Sequence, residues 1–535
     1  MICEFRSVPT PVYHQDSIMG CILGYLQWYH GGNIIIIIVL SDKAYENDVY
    51  PLVKAFCPED TMKVYSREEY DLEQQELKQV VSEEATVKAP WVITMDIQKD
   101  RIAIKNVDGA GGINSMELSP DLSKAQYKNA MKRFLYQLLS KTTDKTLPWG
   151  ILTGIRPTKL VYDMLEKDQR EDEIFHRMRG EYLCSDKKTT MSIRIARREL
   201  ELLEEMDYRN GYSLYIGIPF CPTTCLYCSF TSYSITKYSN LVEDYLSALE
   251  KEIIYASTCL PDKKLTTVYL GGGTPTTLTA EQLKHLLGLV KKHFDFAHVK
   301  EFCVEAGRPD SITKEKLQVL KGWGVDRISI NPQSMQQKTL DIIGRRHTVE
   351  DIKAAFQLAR ETGHDNINMD IIIGLPGENP QEVADTLKQI KELNPDSLTV
   401  HTLALKRAAR LNIEKENYSE LRASDVPRML EEAIEFAQEN DYLPYYLYRQ
   451  KNMADNLENI GYARYGKEGL YNILIMEEQQ TILALGAGGM SKFVFHEQNR
   501  IERVDNVKSV TDYIGRIDEM ITRKREFIDA NINFL

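Results

Sequence analysis

The sequence contains no apolar stretch that could cross a bilayer, and it contains few cysteines. Its longest apolar run, Ile34–Leu40, is far shorter than the roughly 20 residues that a membrane helix needs, so we expect a buried strand there. No cationic segment precedes an apolar one near the start, and a secretory signal is therefore not expected. Nine cysteines in 535 residues exclude a disulfide scaffold, and free thiols favour a reducing cytoplasm as the location.

The chain also lacks an excess of positive charge. It carries 66 lysines and arginines against 78 aspartates and glutamates, and its formal net charge is −12. Bulk charge of this sign argues against a nucleic-acid partner. An anionic small molecule would bind only where basic residues are concentrated locally in one pocket.

Six apolar, β-branched segments alternate with helical stretches in the middle of the chain. The segments are Ser213–Ile218, Thr266–Leu270, Glu301–Glu305, Arg327–Ile330, Asn368–Ile373 and Ser397–Thr402. This alternation predicts a parallel sheet with right-handed crossovers. Such sheets collect their ligand sites at the carboxyl ends of the strands.

The length and the position of this alternation predict four parts. Residues 1–145 are expected to form an N-terminal α/β domain, and residues 146–210 a helical linker. Residues 211–410 contain the repeated strand and helix units. Residues 411–535, where the alternation stops, are expected to form a C-terminal α+β domain that covers the substrate.

Three cysteines, Cys221, Cys225 and Cys228, follow the first of these strands in a C-x3-C-x2-C spacing. Three thiolates in one loop can hold three irons of a cubane cluster and leave the fourth iron without a protein ligand. Clusters that only carry electrons normally have four cysteine ligands, so the open position predicts chemistry at this iron. No second C-x2-C half-site suggests zinc, and three cysteines so close together cannot all form disulfides.

The segment Tyr215–Phe230, with Ile-Pro-Phe before the first cysteine, resembles the radical S-adenosylmethionine (SAM) enzymes. Within them it is similar to the oxygen-independent coproporphyrinogen III oxidase family. The resemblance implies a partial (β/α)6 barrel and a [4Fe–4S] cluster whose open iron binds SAM. In that family, one electron from the cluster cleaves SAM and yields a 5′-deoxyadenosyl radical.

The resemblance also implies which residues contact SAM, mostly at successive strand ends. They are Tyr215, Tyr227, Gly272, Gly273, Thr274, Glu305, Gln333, Arg345, Asp370 and Ala404, of which Tyr215 is also the candidate catalytic residue. Each polar residue taken singly could instead be a strand-end cap, but their common placement favours the binding role. A side chain at Gly273 is expected to block SAM and spare the cluster. Some family members hold two SAM molecules, so one or two are expected here.

A tetrapyrrole substrate carries carboxylates and a large ring, which require basic and aromatic partners. The candidates near the predicted barrel mouth are Arg346, Lys406, Tyr448 and Arg449. His347 and His401 could be acid–base groups or iron ligands, but a hydrogen-bonded structural role is favoured for both.

Two departures from the coproporphyrinogen dehydrogenases concern the substrate. Gly217 stands where those enzymes typically have histidine, and Phe230 stands where they have a further cysteine. The HemZ branch of the family resembles this chain at both positions, and the heme-chaperone branch also lacks the extra cysteine. The favoured activity is oxidative decarboxylation of coproporphyrinogen III, with flavodoxin or ferredoxin as electron donor. The alternatives are a heme chaperone and a radical enzyme that alkylates or opens another tetrapyrrole.

Overall fold

A computed structural model describes most of the chain. The described residues are 35–58, 60–80, 91–107, 109, 111–230, 232–404, 409–414, 418, 421, 423–450 and 457–534, without the side chains of 74–80 and 533. They divide into two compact units. One contains the described residues up to Thr153 together with Arg177–Ser185, and the other contains Gly154–His176 and the residues from Asp186 onward. The four-part division expected from the sequence stays a prediction.

The first unit is built on one five-stranded sheet. Its strands are β1 (Ile35–Leu40), β2 (Thr61–Ser66), β3 (Trp91–Ile97), β4 (Arg101–Lys105) and β5 (Ile113–Glu117). They lie in the order β2-β1-β3-β4-β5. β1 pairs in parallel with β2 and β3, whereas β4 pairs antiparallel with β3 and β5. Helices α1 (Glu46–Phe56), α2 (Arg67–Val80) and α3 (Lys124–Thr143) complete it. Every residue of β1 is buried, which confirms the predicted strand over its described residues.

Helices and strands alternate through the middle of the second unit. The segment before this alternation contains α4 (Lys159–Leu165), α5 (Glu171–Gly180) and α6 (Asp186–Glu204). The strands that follow are β6 (Gly211–Ile218), the short β7 (Phe220–Cys221) and β8 (Tyr233–Ser234), β9 (Lys264–Gly272), β10 (Glu301–Gly307), β11 (Arg327–Ile330), β12 (Ile367–Ile373) and β13 (Ser397–Thr402). The helices between them are α7 (Ile235–Tyr238), α8 (Val242–Ala256), α9 (Ala280–His293), α10 (Lys314–Gly322), α11 (Gln337–Ile342), α12 (Val349–Glu361) and α13 (Pro380–Leu393).

Six of these strands are parallel neighbours in the order β6-β9-β10-β11-β12-β13. This confirms the predicted partial (β/α)6 barrel, and each predicted strand lies within its observed one. The four residues of β11 are all buried although two of them, Arg327 and Ser329, are polar. Three of the connecting helices begin at capping boxes formed by Thr279 with Gln282, Thr348 with Asp351 and Asn379 with Glu382, which satisfy backbone N–H groups at the helix starts.

The C-terminal part adds strands to both edges of the barrel sheet. Its strands are β14 (Leu443–Tyr448), β15 (Asn459–Ala463), β16 (Thr481–Leu485), β17 (Met490–Phe495) and β18 (Arg500–Asp505). β15 pairs antiparallel with β13 and β14 follows it, whereas β16 pairs parallel with β6 and is followed by β17 and β18. The described C-terminal strands therefore do not form a sheet of their own, because they satisfy the open hydrogen-bonding edges of β6 and β13.

Five helices accompany these strands. They are α14 (Arg410–Ile413), α15 (Val426–Glu439), α16 (Leu470–Glu477), α17 (Val510–Gly515) and α18 (Ile517–Asn531). The N-terminus of α16 is held by a barrel residue, since the backbone N–H groups of Leu470 and Tyr471 both donate to the carboxylate of Glu301. None of the helices in the described part of the chain is long and apolar enough to cross a membrane.

Candidate active site

A cavity of about 360 Å3 lies at the carboxyl ends of the barrel strands. It brings together most of the residues that the sequence nominated. Those that line it are Cys221, Cys225, Tyr227, Cys228, Gly272, Gly273, Thr274, Glu305, Gln333, Arg345, Asp370, Ala404 and Tyr448. Side chains separated by more than two hundred positions in the chain therefore face one space, as parallel barrel topology predicts.

The cysteine loop is anchored to the barrel by backbone contacts. β7 pairs with β8, and the N–H of Leu226 donates to the carbonyl of Ile343 at 3.0 Å. Thr223 donates from its hydroxyl to the carbonyl of Gly344 at 3.2 Å. None of the seven cysteines in the described residues is in a disulfide, so all three thiols of the loop are available as ligands.

The donor set fits a cubane cluster. Three thiols line one side of the cavity, and thiolates are the ligands that iron–sulfur clusters require. Burial raises the pKa of Cys221 to about 11, so cluster binding would have to release its proton. In the described residues no group of three His, Cys, Asp or Glu side chains could hold a single metal ion, and in a cubane each thiolate ligates a different iron.

The glycine loop after β9 lies directly on the cysteine loop. The N–H of Gly273 donates to the carbonyl of Ile218 at 2.8 Å, and the N–H of Thr274 donates to the carbonyl of Phe220 at 2.7 Å. A Cβ at Gly273 would lie 2.5 Å from that Phe220 oxygen and 3.0 Å from the sulfur of Cys221. This geometry argues against the expectation that a side chain there would spare the cluster, because the side chain would collide with the cluster loop itself.

Two carboxylates face the cavity with different electrostatics. The pKa of Glu305 is raised to about 7, mainly by burial, while the hydrogen bond from Tyr269 acts to lower it and the charge of Asp370 adds to the rise. Burial also acts to raise the pKa of Asp370, but the nearby His401 and the hydrogen bond from Asn368 outweigh it and lower the pKa. Asp370 is therefore the ionised acceptor of the pair, and Glu305 can donate or accept near neutral pH.

Gln333 and Arg345 present buried polar atoms without partners. Gln333 has a φ of 67°. Two backbone hydrogen bonds hold it in this conformation, because its N–H donates to the backbone carbonyl of Asp370 and its carbonyl accepts from the backbone N–H of Ile372. Arg345 donates to the Asn331 carbonyl and to the Tyr227 hydroxyl. Within the described residues, Oε1 of Gln333 and Nε of Arg345 have no hydrogen-bond partner. Orphaned buried polar atoms are costly, so these two fit a polar ligand such as SAM.

Three of the nominated residues in the described part of the chain do not line the cavity. The ring of Tyr215 lies beside the stacked pair of Tyr269 and Tyr471, with centroid distances of 6.2 and 6.3 Å to the two rings, and it does not line the cavity. Arg346 is exposed and does not line the cavity. Arg449, the residue after β14, is only 3% exposed and does not line the cavity, whereas Tyr448 at the end of that strand does. Lys406 lies outside the described residues.

The two histidines differ in their placement. His347 is buried beside Asp310 and does not line the cavity, and desolvation, followed by the charge of Arg345, lowers its pKa to about 4. His401 lines the cavity, where its Nδ1 lies 3.4 Å from the Tyr448 hydroxyl and its Nε2 lies 3.9 Å from Asp370.

Sequence reasoning missed several cavity residues. Asn368 lies two positions before Asp370 on β12, so the alternation of strand side chains could have identified it. Tyr269 lines the cavity from β9, ahead of the glycine loop. Arg308 and Arg327 also line the cavity. No local pattern marks these two arginines, because their neighbours come from distant parts of the chain.

Comparisons with known proteins identify the family. The model of the Radical SAM superfamily matches residues 215–390. The oxygen-independent coproporphyrinogen-III oxidase-like protein HemZ of Bacillus subtilis is 42% identical over 420 residues, which cover 77% of this chain and 84% of HemZ. The heme chaperone HemW of the same organism is 40% identical over 194 residues, which cover 36% of this chain and 50% of HemW.

Two further comparisons involve proteins of Escherichia coli. Its oxygen-independent coproporphyrinogen III oxidase is 34% identical over 192 residues, which cover 36% of this chain and 42% of that protein. The solved structure of coproporphyrinogen III oxidase (HemN), a radical SAM enzyme, is similar with a TM-score of 0.48 and 25% identity over 58% of this chain and 70% of that chain.

The predicted [4Fe–4S] cluster and SAM are the cofactors of the matched superfamily, and the cavity supplies three thiols and unsatisfied polar groups that fit them. HemZ of Bacillus subtilis, which matches 77% of this chain, is described as similar to the same oxidase family that the cysteine motif resembles. The chain therefore belongs to the HemZ-like branch of the oxygen-independent coproporphyrinogen III oxidase family within the radical SAM superfamily.

Proposed function

We propose that the chain is a radical SAM oxidoreductase that converts propionate groups of coproporphyrinogen III to vinyl groups. The observation that carries this proposal is the single cavity that joins the three cysteines to the SAM-type strand-end residues. The family membership supports a tetrapyrrole as the substrate class. Each conversion removes one hydrogen atom from the propionate β-carbon, releases carbon dioxide and passes one electron to an acceptor.

Each group at the cavity has a defined role in this proposal. Cys221, Cys225 and Cys228 hold the cluster, and the bound cluster and SAM supply a 5′-deoxyadenosyl radical. The backbone of the glycine loop, together with Tyr227, Glu305, Gln333, Arg345, Asp370 and Ala404, binds SAM. Asp370 accepts hydrogen bonds as an anion, and Arg345 provides the cation for a carboxylate.

Aromatic side chains form the wall that would contact a macrocycle. The rings of Tyr446 and Tyr448 are parallel within 8°, with centroids 6.2 Å apart, and both residues line the cavity. Aromatic faces of this kind suit a flat, apolar ring with polar substituents. We retain Tyr448 as the substrate residue and leave Arg346 and Lys406 as predictions, whereas the buried position of Arg449 argues against direct contact.

The reaction requires an electron donor, for which we propose flavodoxin or ferredoxin. We also propose that the protein acts in the cytoplasm, where a reducing environment preserves thiols and an oxygen-sensitive cluster.

A heme chaperone is the second candidate. Phe230, which is 71% exposed, occupies the position of the extra cysteine of the dehydrogenases, and His401 lines the cavity as a candidate heme ligand. A chaperone would bind heme stoichiometrically and release no carbon dioxide.

One anaerobic experiment separates these activities. The reconstituted chain is incubated with SAM, reductant and coproporphyrinogen III, and the products are analysed by mass spectrometry. Loss of carbon dioxide with vinyl formation and 5′-deoxyadenosine supports the oxidoreductase. Tight heme binding without vinyl product, abolished by His401→Ala, would support the chaperone. Cleavage of SAM with an alkylated or opened tetrapyrrole would indicate the third activity.

A further inference from the structure

Arg308 binds the loop between the first two cysteines. It follows β10, and its side chain is only 3% exposed. Its Nη1 donates to the hydroxyl of Thr223 at 2.6 Å and to the carbonyl of Thr223 at 3.1 Å. Thr223 stands midway between Cys221 and Cys225, so this one guanidinium group fixes both the backbone and a side chain of the cluster loop.

The same Nη1 also faces a cluster ligand. It lies 3.9 Å from Sγ of Cys225, and this contact is buried. Arg308 and Cys225 are 83 positions apart in the chain. Hydrogen bonds from N–H groups to ligand sulfurs are among the factors that set the reduction potential of an iron–sulfur cluster.

Asp310 orients the guanidinium for this contact. Nε and Nη2 of Arg308 donate to the two carboxylate oxygens of Asp310 at 3.0 and 2.6 Å. This bidentate geometry restrains the plane of the guanidinium and leaves Nη1 directed at the loop. Asp310 also offsets part of the positive charge of Arg308. The electrostatic effect on the Cys225 sulfur therefore combines the N–H contact with the positive charge that remains.

We propose that Arg308 is a positioning residue of the cluster loop and that its N–H···S contact raises the reduction potential of the cluster bound there. The inference rests on the proposed assignment of the three cysteines as cluster ligands. A reduced cluster carries one more negative charge, so a nearby guanidinium stabilises it relative to the oxidised form. Groups that hold a metal ligand in place also slow loss of the metal.

The test uses the full chain with reconstituted cluster and no SAM. Arg308→Gln removes the charge, Arg308→Lys keeps it without the bidentate fork, and Arg516→Gln removes an exposed arginine of the C-terminal part as a control. The potential is measured by dye-mediated redox titration with detection of the reduced cluster by electron paramagnetic resonance. We expect a more negative potential for Arg308→Gln, a smaller shift for Arg308→Lys and none for Arg516→Gln. Iron loss to a chelator should be about tenfold faster in Arg308→Gln.

A second readout does not require the cluster. In the metal-free protein, hydrogen–deuterium exchange of the peptide that contains residues 221–228 should be faster in Arg308→Gln than in wild type. Unchanged potential, iron loss and exchange in Arg308→Gln would overturn the inference and leave the ligand assignment intact. A wild-type chain that takes up no cluster would instead overturn the ligand assignment, on which the inference depends.

Discussion

Tyr269 donates a hydrogen bond of 2.5 Å to Oε1 of Glu305 across the neighbouring strands β9 and β10. Both side chains line the cavity, and a Cβ at Gly271 would meet both of them. The glycine loop therefore has a second role besides approach to a ligand, because it leaves room for this tyrosine–glutamate pair.

The raised pKa of Glu305 predicts a pH-dependent stability of the ligand-free chain. The folded carboxyl keeps its proton up to about pH 7, whereas the ordinary value is 4.5. Between these values the unfolded chain binds fewer protons, so the free energy of unfolding should fall as the pH rises. Glu305→Gln should reduce this fall, measured by urea unfolding from pH 4.5 to 7. An identical slope would contradict the prediction, and Glu497→Gln at an exposed position is the control.

The cysteine assignment predicts a selective loss of the cluster. Alanine at Cys221, Cys225 or Cys228 should abolish bound iron and sulfide and the visible absorption of the reconstituted protein, because thiolates hold these clusters. Cys303 is a demanding control, since it lines the same cavity but is not in the motif. Cluster loss in Cys303→Ala as complete as in Cys221→Ala would refute the assignment.

Gly273→Ala is expected to impair both cluster loading and SAM binding. Its new methyl group would collide with the Phe220 carbonyl and approach the sulfur of Cys221. Gly288→Ala in α9 is the matched control, because its nearest neighbour would lie 3.4 Å away on the Trp323 ring and alanine favours a helix. Iron content and SAM binding by equilibrium dialysis measure the difference. Normal iron content in Gly273→Ala together with lost SAM binding would contradict this prediction. It would instead support the expectation from the sequence that a side chain at Gly273 blocks SAM and spares the cluster.

A buried ion pair should contribute strongly to the stability of the second unit. Lys524 of α18 donates to Glu252 of α8 at 2.7 Å, and both side chains are fully buried. Lys524→Met would leave a buried carboxylate without its cation and should cost about 3–5 kcal/mol in urea unfolding. Arg523→Met, at an exposed position of the same helix, should change stability by less than about 0.5 kcal/mol. A cost for Lys524→Met below about 0.5 kcal/mol, the limit expected for Arg523→Met, would contradict this prediction.

The barrel and the cluster motif can both be predicted from local features of the sequence. Strand periodicity and helix-capping residues are local properties, and each of the six predicted strands lies within an observed strand. The C-x3-C-x2-C spacing is local as well, because it needs only one loop to bring three thiols together. The order of parallel strands then follows from right-handed crossovers, so residues at their carboxyl ends converge on one cavity.

Which of two neighbouring side chains faces that cavity depends on how the strands and loops pack in three dimensions. Arg345 is buried in it while Arg346 is exposed, and Tyr448 lines it while Arg449 does not. These choices depend on side-chain direction, which composition and motif spacing do not specify. The contact of Arg308 with Cys225 spans 83 positions, and such pairings exist only after the loops of different β/α units pack against each other.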